Sequence, residues 1–286
     1  MVIFKHVKDV KEYIAMQKKA ARTVGFVPTM GALHEGHISL IDTAKAESSL
    51  VICSIFVNPT QFNDKEDFEK YPVSTEQDIE MLVNAGCDVL FLPSVAEMYP
   101  GGTDKIKEYD FGYLETVLEG AQRPGHFRGV GQVVGRLLEI VEPEYLYLGQ
   151  KDFQQCMVIT RLAELTGLRD LKVVICPTMR EADGLAMSSR NRRLTDPQRA
   201  IAAIIYQCLV SIESKQGNTP FNVVRKECED LMTAKGFVVE YVTLADATNL
   251  KLLDNYKKDT PMVALIAAKI GEIRLIDNLL VGSRES

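Results

Sequence analysis

Two histidines separated by a glutamate and a glycine stand at the end of the run Thr29-Met30-Gly31-Ala32-Leu33-His34-Glu35-Gly36-His37. An apolar run at residues 24–27 precedes them and reads as a buried strand, and the helical spacing of Ile38, Leu40, Ile41 and Ala44 follows. The histidines therefore belong at a strand-to-helix turn, where an open α/β sheet binds its ligand and helix N-terminal amides face an anion. An imidazole pair at such a turn suits negative charge developing on a phosphate. Helix capping, a satisfied core position and metal ligation are the alternatives. Metal fits least, because a zincin pair needs four-residue spacing and a third ligand.

Four other segments carry groups of the right kind. Asn58-Pro59-Thr60-Gln61-Phe62 follows a second apolar run at 50–57, and side-chain amides at a sheet's carboxyl edge can hold a carboxylate or hydroxyl. An ordinary Asn-Pro turn is the other reading. Arg123-Pro124-Gly125-His126-Phe127-Arg128-Gly129-Val130 reads either as a basic flap over an anionic substrate or as a solvated loop. Its continuation through Gly131 and Gly135 approaches a dinucleotide fingerprint, but the third glycine comes one place late and no strand precedes it, which excludes a Rossmann dehydrogenase. Gly149-Gln150-Lys151-Asp152 lies between an apolar run at 145–148 and a helical pattern at 153–165. Glycine lets the backbone approach a ligand, Lys151 offers a point charge to phosphate, and Asp152 can help hold a metal. Gln155, one turn on, can reach back to the same ligand, while a capping Asp152 beside a solvated Lys151 is the plain alternative. Finally, Asp183-Gly184-Leu185-Ala186-Met187-Ser188-Ser189-Arg190-Asn191 combines hydroxyls, a guanidinium and a glycine in one loop. No Walker A sequence is present, so a triphosphate would have to be held by dispersed parts of this kind.

Short apolar runs alternating with helical periodicity must position these groups. Strands are expected at 24–27, 50–57, 88–92, 145–148 and 172–176, with helices at 38–47, 75–85, 130–141 and 153–165. A polar loop follows the second strand, and a long turn-rich segment spans 99–127 with a short helical stretch at 113–118. Such alternation gives a parallel sheet with right-handed crossovers. After Pro177 the order changes to two helices, one opened by Asp196-Pro197 and one at 220–234, then strands at 238–244, 262–268 and 272–275, the last two forming a hairpin. The fold class expected is α/β: a Rossmann-like doubly wound parallel sheet at 1–178 with a smaller C-terminal α+β domain at 179–286.

Composition sets the class. A chain of 286 residues with 46% hydrophobic and 25% charged residues is a globular protein with ample core. The net charge of −6 argues against nucleic acid as partner, since phosphate contacts would need a basic excess. Cys53, Cys87, Cys156, Cys176, Cys208 and Cys228 form no C-x-x-C pair, which predicts buried free thiols in a reducing compartment. The first six residues lack the apolar segment of a signal peptide, and no run reaches the ~18 apolar residues of a membrane span. A cytoplasmic protein with no membrane partner is expected.

Taken in order, the segments from about residue 26 to 191 resemble the pantoate–β-alanine ligase (pantothenate synthetase) family. His34-Glu35-Gly36-His37 is similar to the histidine signature of class I aminoacyl-tRNA synthetases and related nucleotidyltransferases, and Met187-Ser188-Ser189-Arg190 to their Lys-Met-Ser-Lys-Ser loop. The runs 28–34, 58–62 and 126–130 make the likeness more specific, while Gln150 stands where many members carry glutamate. The resemblance implies that pantoate and ATP form pantoyl adenylate and pyrophosphate, and that β-alanine then displaces AMP to give pantothenate. It implies His37, His34 and Lys151 as catalytic groups. The ATP site would comprise Met30, Gly31, Ala32, Leu33, His34, Glu35, Gly36 and His37, then Gly149, Gln150, Lys151 and Asp152, with Met179, Met187, Ser188, Ser189 and Arg190. Gln61 and Gln155 would hold pantoate; Gln61, Asn58, Arg123 and His126 would serve β-alanine. Magnesium would bridge the phosphates with help from Asp152, the smaller domain would act as a lid, and a homodimer is implied. The rivals are another adenylyltransferase of the superfamily, a metal-dependent hydrolase built on His34 and His37, and a non-catalytic nucleotide-binding module. The paired neutral amides of Gln61 and Gln155 suit a hydroxy acid better than a second phosphate, which disfavours the first.

Overall fold

The structure is a computed structural model that describes residues 1–62, 68, 71–102 and 106–282. The expected polar loop after the second strand, and a short part of the turn-rich segment, lie outside the described residues. Two compact units are present: Met1–Gly149 with Gln154–Pro177, and Gln150–Phe153 with Thr178–Ser286.

The first unit is built on a six-stranded parallel sheet among the described residues. Its strands are β1 (Val2–Phe4), β2 (Val24–Thr29), β3 (Leu50–Ile55), β4 (Val89–Phe91), β5 (Tyr145–Gly149) and β6 (Lys172–Cys176), in the order β1-β4-β3-β2-β5-β6. Side chains on a strand alternate between faces, and β3 shows both faces buried. Leu50 and Ile52 join Val24, Phe26, Val89 and Phe91 in one core, whereas Val51 and Cys53 join Val27 and Leu90 in the other. Helices α1 (Val7–Lys19), α6 (His126–Val141) and much of α7 (Phe153–Leu165) contribute to the first core. Helices α2 (Glu35–Glu47) and α3 (Thr75–Asn84) contribute to the second. The chain leaves β2 toward β3 on one side, while β5 lies against β2 on the other, with Gly25 opposite Tyr145 and Phe26 opposite Leu146. The crevice of a doubly wound sheet opens at the carboxyl ends of such a pair.

The expected strands and helices are all found, with shifted ends. β1 and α1 add to them; a three-residue strand is too short to show a period. The loop expected at 123–130 is half helix. Gly125, at φ +82°, turns the chain, and α6 starts at His126. The near-dinucleotide run 129–135 lies wholly inside α6. Packing overrides glycine's low helix propensity there: a Cβ on Gly129 would lie 2.5 Å from the Thr60 carbonyl oxygen, so only glycine admits this approach. Short helices α4 (Val95–Met98) and α5 (Leu118–Gln122) also belong to the unit.

The second unit carries a four-stranded antiparallel sheet, β7 (Val238–Asp246), β8 (Leu252–Leu253), β9 (Met262–Ile270) and β10 (Ile273–Val281), in the order β10-β9-β7-β8. β9 and β10 form the expected hairpin, closing at Ile270 opposite Ile273 with Gly271 at φ +56°. Helices α8 (Asp196–Ala202), α9 (Ile204–Ser214) and α10 (Phe221–Ala234) cover one face over Leu209, Phe221, Leu244 and Ile266. Thr195, with Gln198, caps α8, so Asp196 and Pro197 occupy its first turn. All six cysteines are free and buried.

Candidate active site

The histidine turn is held from below by a carboxylate. β2 ends at Thr29, whose hydroxyl donates to the Ser54 carbonyl at 2.8 Å and accepts from the Gly31 amide at 3.2 Å. Gly31 and Ala32 then take positive φ, +81° and +50°. Asp78, only 2% exposed, accepts from the amides of Ala32 at 2.9 Å and Leu33 at 2.8 Å, and from the Ser74 hydroxyl at 2.9 Å. Glycine is required at 31, where a Cβ would come within 3.0 Å of Asp78 Oδ2.

His34 is the N-cap of α2, and His37 lies in its first turn. His34 Nδ1 accepts from the Gly36 amide at 3.2 Å, and His37 Nδ1 accepts from the His34 amide at 3.3 Å. The ring centroids are 4.1 Å apart. An Nδ1 that accepts a backbone N–H cannot carry a proton, so each neutral ring holds its proton on Nε2. The turn thereby presents two imidazole N–H donors at the positive end of a helix, an arrangement suited to stabilising phosphoryl oxygens.

Gln61 closes a short 3-10 turn, Pro59–Gln61, and its Nε2 lies 2.8 Å from Met30 Sδ. Asn58 is fully buried and supports that turn: its Nδ2 donates to the Gly129 carbonyl at 3.1 Å and to Thr60 Oγ1 at 3.0 Å, and lies 3.4 Å from Gln61 Oε1. Its Oδ1 accepts from the Tyr99 hydroxyl at 2.9 Å, and burial pushes that phenol up to about 12. His126 Nδ1 is 2.9 Å from the Gln61 carbonyl oxygen, and its Nε2 is 3.2 Å from Arg123 Nη1. Asn58, Arg123 and His126 thus converge on the Gln61 turn. Gln155 is half-buried on the first turn of α7. Its neighbour Gln154 is 3% exposed and spent internally, accepting from the Glu119 amide and donating to the Leu114 and Val117 carbonyls. Gly149 closes β5, with open space where its Cβ would stand.

The remaining site residues belong to the second unit. Gln150–Asp152 is a 3-10 turn in which Lys151 Nζ lies 3.9 Å from Asp152 Oδ1, with Lys151 largely covered and Asp152 half-exposed. Met179 pairs with the other loop through the Met187 amide, 2.9 Å from its carbonyl. Ser188 caps the 3-10 helix Ser189–Arg193 by accepting from the Arg190 amide at 3.3 Å, and that helix carries three arginines in its last turn. Asn191 ties it down, donating to Glu181 Oε1 at 2.9 Å and to the Ala186 carbonyl at 3.0 Å. Arg199 closes the loop from outside by pairing with Glu181 and Asp183, and it holds the Asp183 carboxyl below its ordinary range. Among the described residues no group of three or more His, Cys, Asp or Glu side chains could hold a metal ion.

Asp78, Tyr99, Arg180, Asp277 and Asn278 were not singled out by sequence reasoning. Each acts on a segment far away in the chain, and no local pattern marks it.

The sequence profile of the Pantoate-beta-alanine ligase family matches residues 2–280. A Porphyromonas gingivalis protein named pantothenate synthetase is 45% identical over 280 residues, covering 98% of this chain and 99% of its own. The chain belongs to the pantoate–β-alanine ligase family. A second such ligase, from Cytophaga hutchinsonii, is 44% identical over 284 residues, with 98% and 99% of the two chains covered. Among solved ligases, the Thermus thermophilus pantothenate synthetase superposes with a TM-score of 0.88 at 38% identity, over 98% of this chain and 99% of that one. The Francisella tularensis ligase, crystallised with β-γ ATP and β-alanine, gives 0.82 at 39% identity, over 98% and 97%. The α/β architecture, with its parallel sheet and separate antiparallel sheet, is the fold of this ligase family.

Proposed function

We propose that this chain joins pantoate to β-alanine at the expense of ATP, through pantoyl adenylate, and that the residues named above divide the work. The observation that carries the reading is the imidazole pair at the start of α2, both rings fixed with Nε2–H as donor. In the first step a pantoate carboxylate oxygen attacks the α-phosphorus of ATP. The new O–P bond forms as the bond to pyrophosphate breaks, and charge builds on the phosphoryl oxygens. His34 and His37 donate hydrogen bonds from Nε2–H to those oxygens and to the departing pyrophosphate, each keeping its proton, since a neutral imidazole that gave it up would be left as an anion. In the second step the free amine of β-alanine attacks the acyl carbon. The C–N bond forms, the C–O bond to AMP breaks, and the nitrogen sheds a proton to solvent or a nearby base. Adenylation is needed because a carboxylate oxygen leaves poorly; the rest is positioning and charge stabilisation.

The first unit supplies Met30 to His37 and Gly149 for the nucleotide, Gln61 and Gln155 for pantoate, and Gln61 for β-alanine. Asn58, Arg123 and His126 serve the acceptor through the turn they brace. The second unit supplies Gln150, Lys151, Asp152, Met179, Met187, Ser188, Ser189 and Arg190. Asp152 is the carboxylate the chain would offer to magnesium bound with ATP, and the ion would supply further charge neutralisation. A homodimer in the cytoplasm is the setting; no helix among the described residues is long and apolar enough to cross a membrane. The test omits ATP, pantoate and β-alanine in turn. Turnover to AMP and pyrophosphate requires all three, and formation of ADP and orthophosphate instead would point to an acyl-phosphate ligase.

A further inference from the structure

Asp277 and Asn278, consecutive on β10, are 5% and 2% exposed. The Asn278 amide nitrogen donates to the carbonyls of Gln150 and Lys151, each at 2.9 Å, and its oxygen accepts from Gln150 Nε2 at 3.2 Å. Every polar atom of that side chain is therefore spent on the turn that carries Lys151. A three-residue 3-10 turn has too few bonds of its own to fix its orientation, so Asn278 sets it.

Asp277 grips the other segment. It takes the Arg180 guanidinium in a fork, 2.6 Å and 3.0 Å, while Arg180 also donates to the carbonyls of Gly184 at 3.1 Å and Asn278 at 3.2 Å. The guanidinium lies over the Tyr206 ring, 4.0 Å from its centre. Arg180 bridges to Ala186, one residue before Met187 and two before Ser188. A bidentate, stacked arginine fixes angle as well as distance. A buried ion pair of this kind adds little net stability, which makes geometric definition its better-supported use.

We infer that Asp277 and Asn278 are a positioning pair for the nucleotide phosphates. Asn278 sets the backbone from which Lys151 extends. Asp277, acting through Arg180, sets the strand that delivers Ser188 and Arg190. Their adjacency on one strand fixes the spacing between the two sets of phosphate contacts. The inference rests on the proposed assignment of Lys151, Ser188 and Arg190 to ATP.

Double-mutant cycles in the full chain test it, read as the ATP KM for pyrophosphate release and as ATP affinity by calorimetry without pantoate. N278A should weaken ATP by about tenfold by leaving two carbonyls unpaired, with the pantoate KM unchanged within about twofold. In the K151A background the same change should cost less than about twofold, because Asn278 acts through Lys151. D277N should likewise lose most of its effect in the R190A background, whereas the crossed pair N278A with R190A should multiply independently; D277N with K151A is no such control, because the Lys151 charge acts on Asp277 directly. Should N278A fail to fold, N278S keeps one donor and carries the same cycle with a smaller effect. Full multiplication within N278A–K151A, or an equal rise in both substrate constants, overturns the inference and leaves Asn278 a structural residue. A wild-type chain that binds ATP with these couplings yet makes no pantothenate overturns the proposed reaction and leaves the pair standing; one that binds no ATP overturns both.

Discussion

Asp78 Oδ2 accepts the backbone amide of Ala32 at 2.9 Å, and Ala32 stands at φ +50°, a conformation that side chains other than glycine avoid. A left-handed alanine costs about 1–2 kcal/mol, and the charge-assisted bonds that two backbone amides donate to a buried carboxylate offset that cost. The strain and its compensation lie directly before His34, so the angle at which the histidines leave the sheet depends on a residue in another helix.

Asp78→Asn should therefore slow adenylation as well as destabilise the fold. The amide keeps one acceptor and turns a donor toward a backbone N–H, at a cost of about 1.5–3 kcal/mol. Adding Ala32→Gly should recover about 1 kcal/mol by relieving the strain. Thermal melts and single-turnover pyrophosphate release on both variants check this. Recovered stability with no recovered rate would show that the turn's geometry does not govern the histidines.

Substitution at His34 can separate capping from chemistry. His34→Ala removes both the N-cap acceptor and the Nε2–H donor. It should lose about 0.5–2 kcal/mol of stability and roughly two to three orders of magnitude in adenylation rate. His34→Asn keeps an acceptor for the Gly36 amide, so it should hold its stability near wild type and still show the catalytic loss. His37→Ala should match the loss in rate. If His34→Asn restores the rate together with the stability, the ring at 34 is a cap and nothing more.

How far these residues were legible depends on the distance over which each acts. The histidine turn, the Gln61 turn and Lys151 each follow an apolar run directly, so a reading of local pattern finds them. β3 was legible because Leu50, Ile52, Val51 and Cys53 are all apolar, as a strand buried on both faces demands. The supports were not legible. Asp78 meets Ala32 across 46 positions and Asn278 meets Gln150 across 128, and each carries a residue type common on any surface. The helical start at His126 was hidden for a different reason. Gly129, Gly131 and Gly135 argue against a helix locally, and their purpose, close approach to the Pro59–Gln61 turn and the rings of Phe111 and Tyr109, exists only in the folded chain.

Adjacent glutamines offer an internal control for substrate binding. Gln155→Ala should raise the pantoate requirement roughly tenfold to a hundredfold, as loss of a hydrogen bond to a charged ligand does at about 1.5–3 kcal/mol, and leave ATP binding nearly intact. Lys151→Ala should do the reverse. Gln154→Ala should leave both substrate constants near wild type per folded molecule and lower the melting temperature, because its amide is committed to residues 114, 117 and 119. If Gln155→Ala weakens ATP and spares pantoate, the two substrates are assigned the wrong way round.

A pH-dependent contact far from the chemistry gives the last prediction. His6 is the N-cap residue of α1, and its Nδ1 lies 3.0 Å from Glu97 Oε1, while Glu97 Oε2 accepts the Val7 amide at 2.9 Å. The hydrogen bond to Glu97 raises the His6 pKa, and the same bond lowers that of Glu97. A raised histidine contributes stability that is complete below its unfolded pKa and lost as pH rises through the folded value. A depressed glutamate contributes stability that is complete above its unfolded pKa and lost as pH falls through the folded value. The pair should therefore hold best between the ordinary glutamate and histidine pKa values, and loosen first on the alkaline side as His6 gives up its proton. Both groups are solvent-accessible, so the effect should shrink with added salt. Proton NMR of the His6 ring should show an upward-shifted midpoint that returns to the ordinary value in Glu97→Gln, and amide exchange at Val7 should quicken across the same titration. An unshifted His6 midpoint at low salt would mean that the contact does not persist in solution.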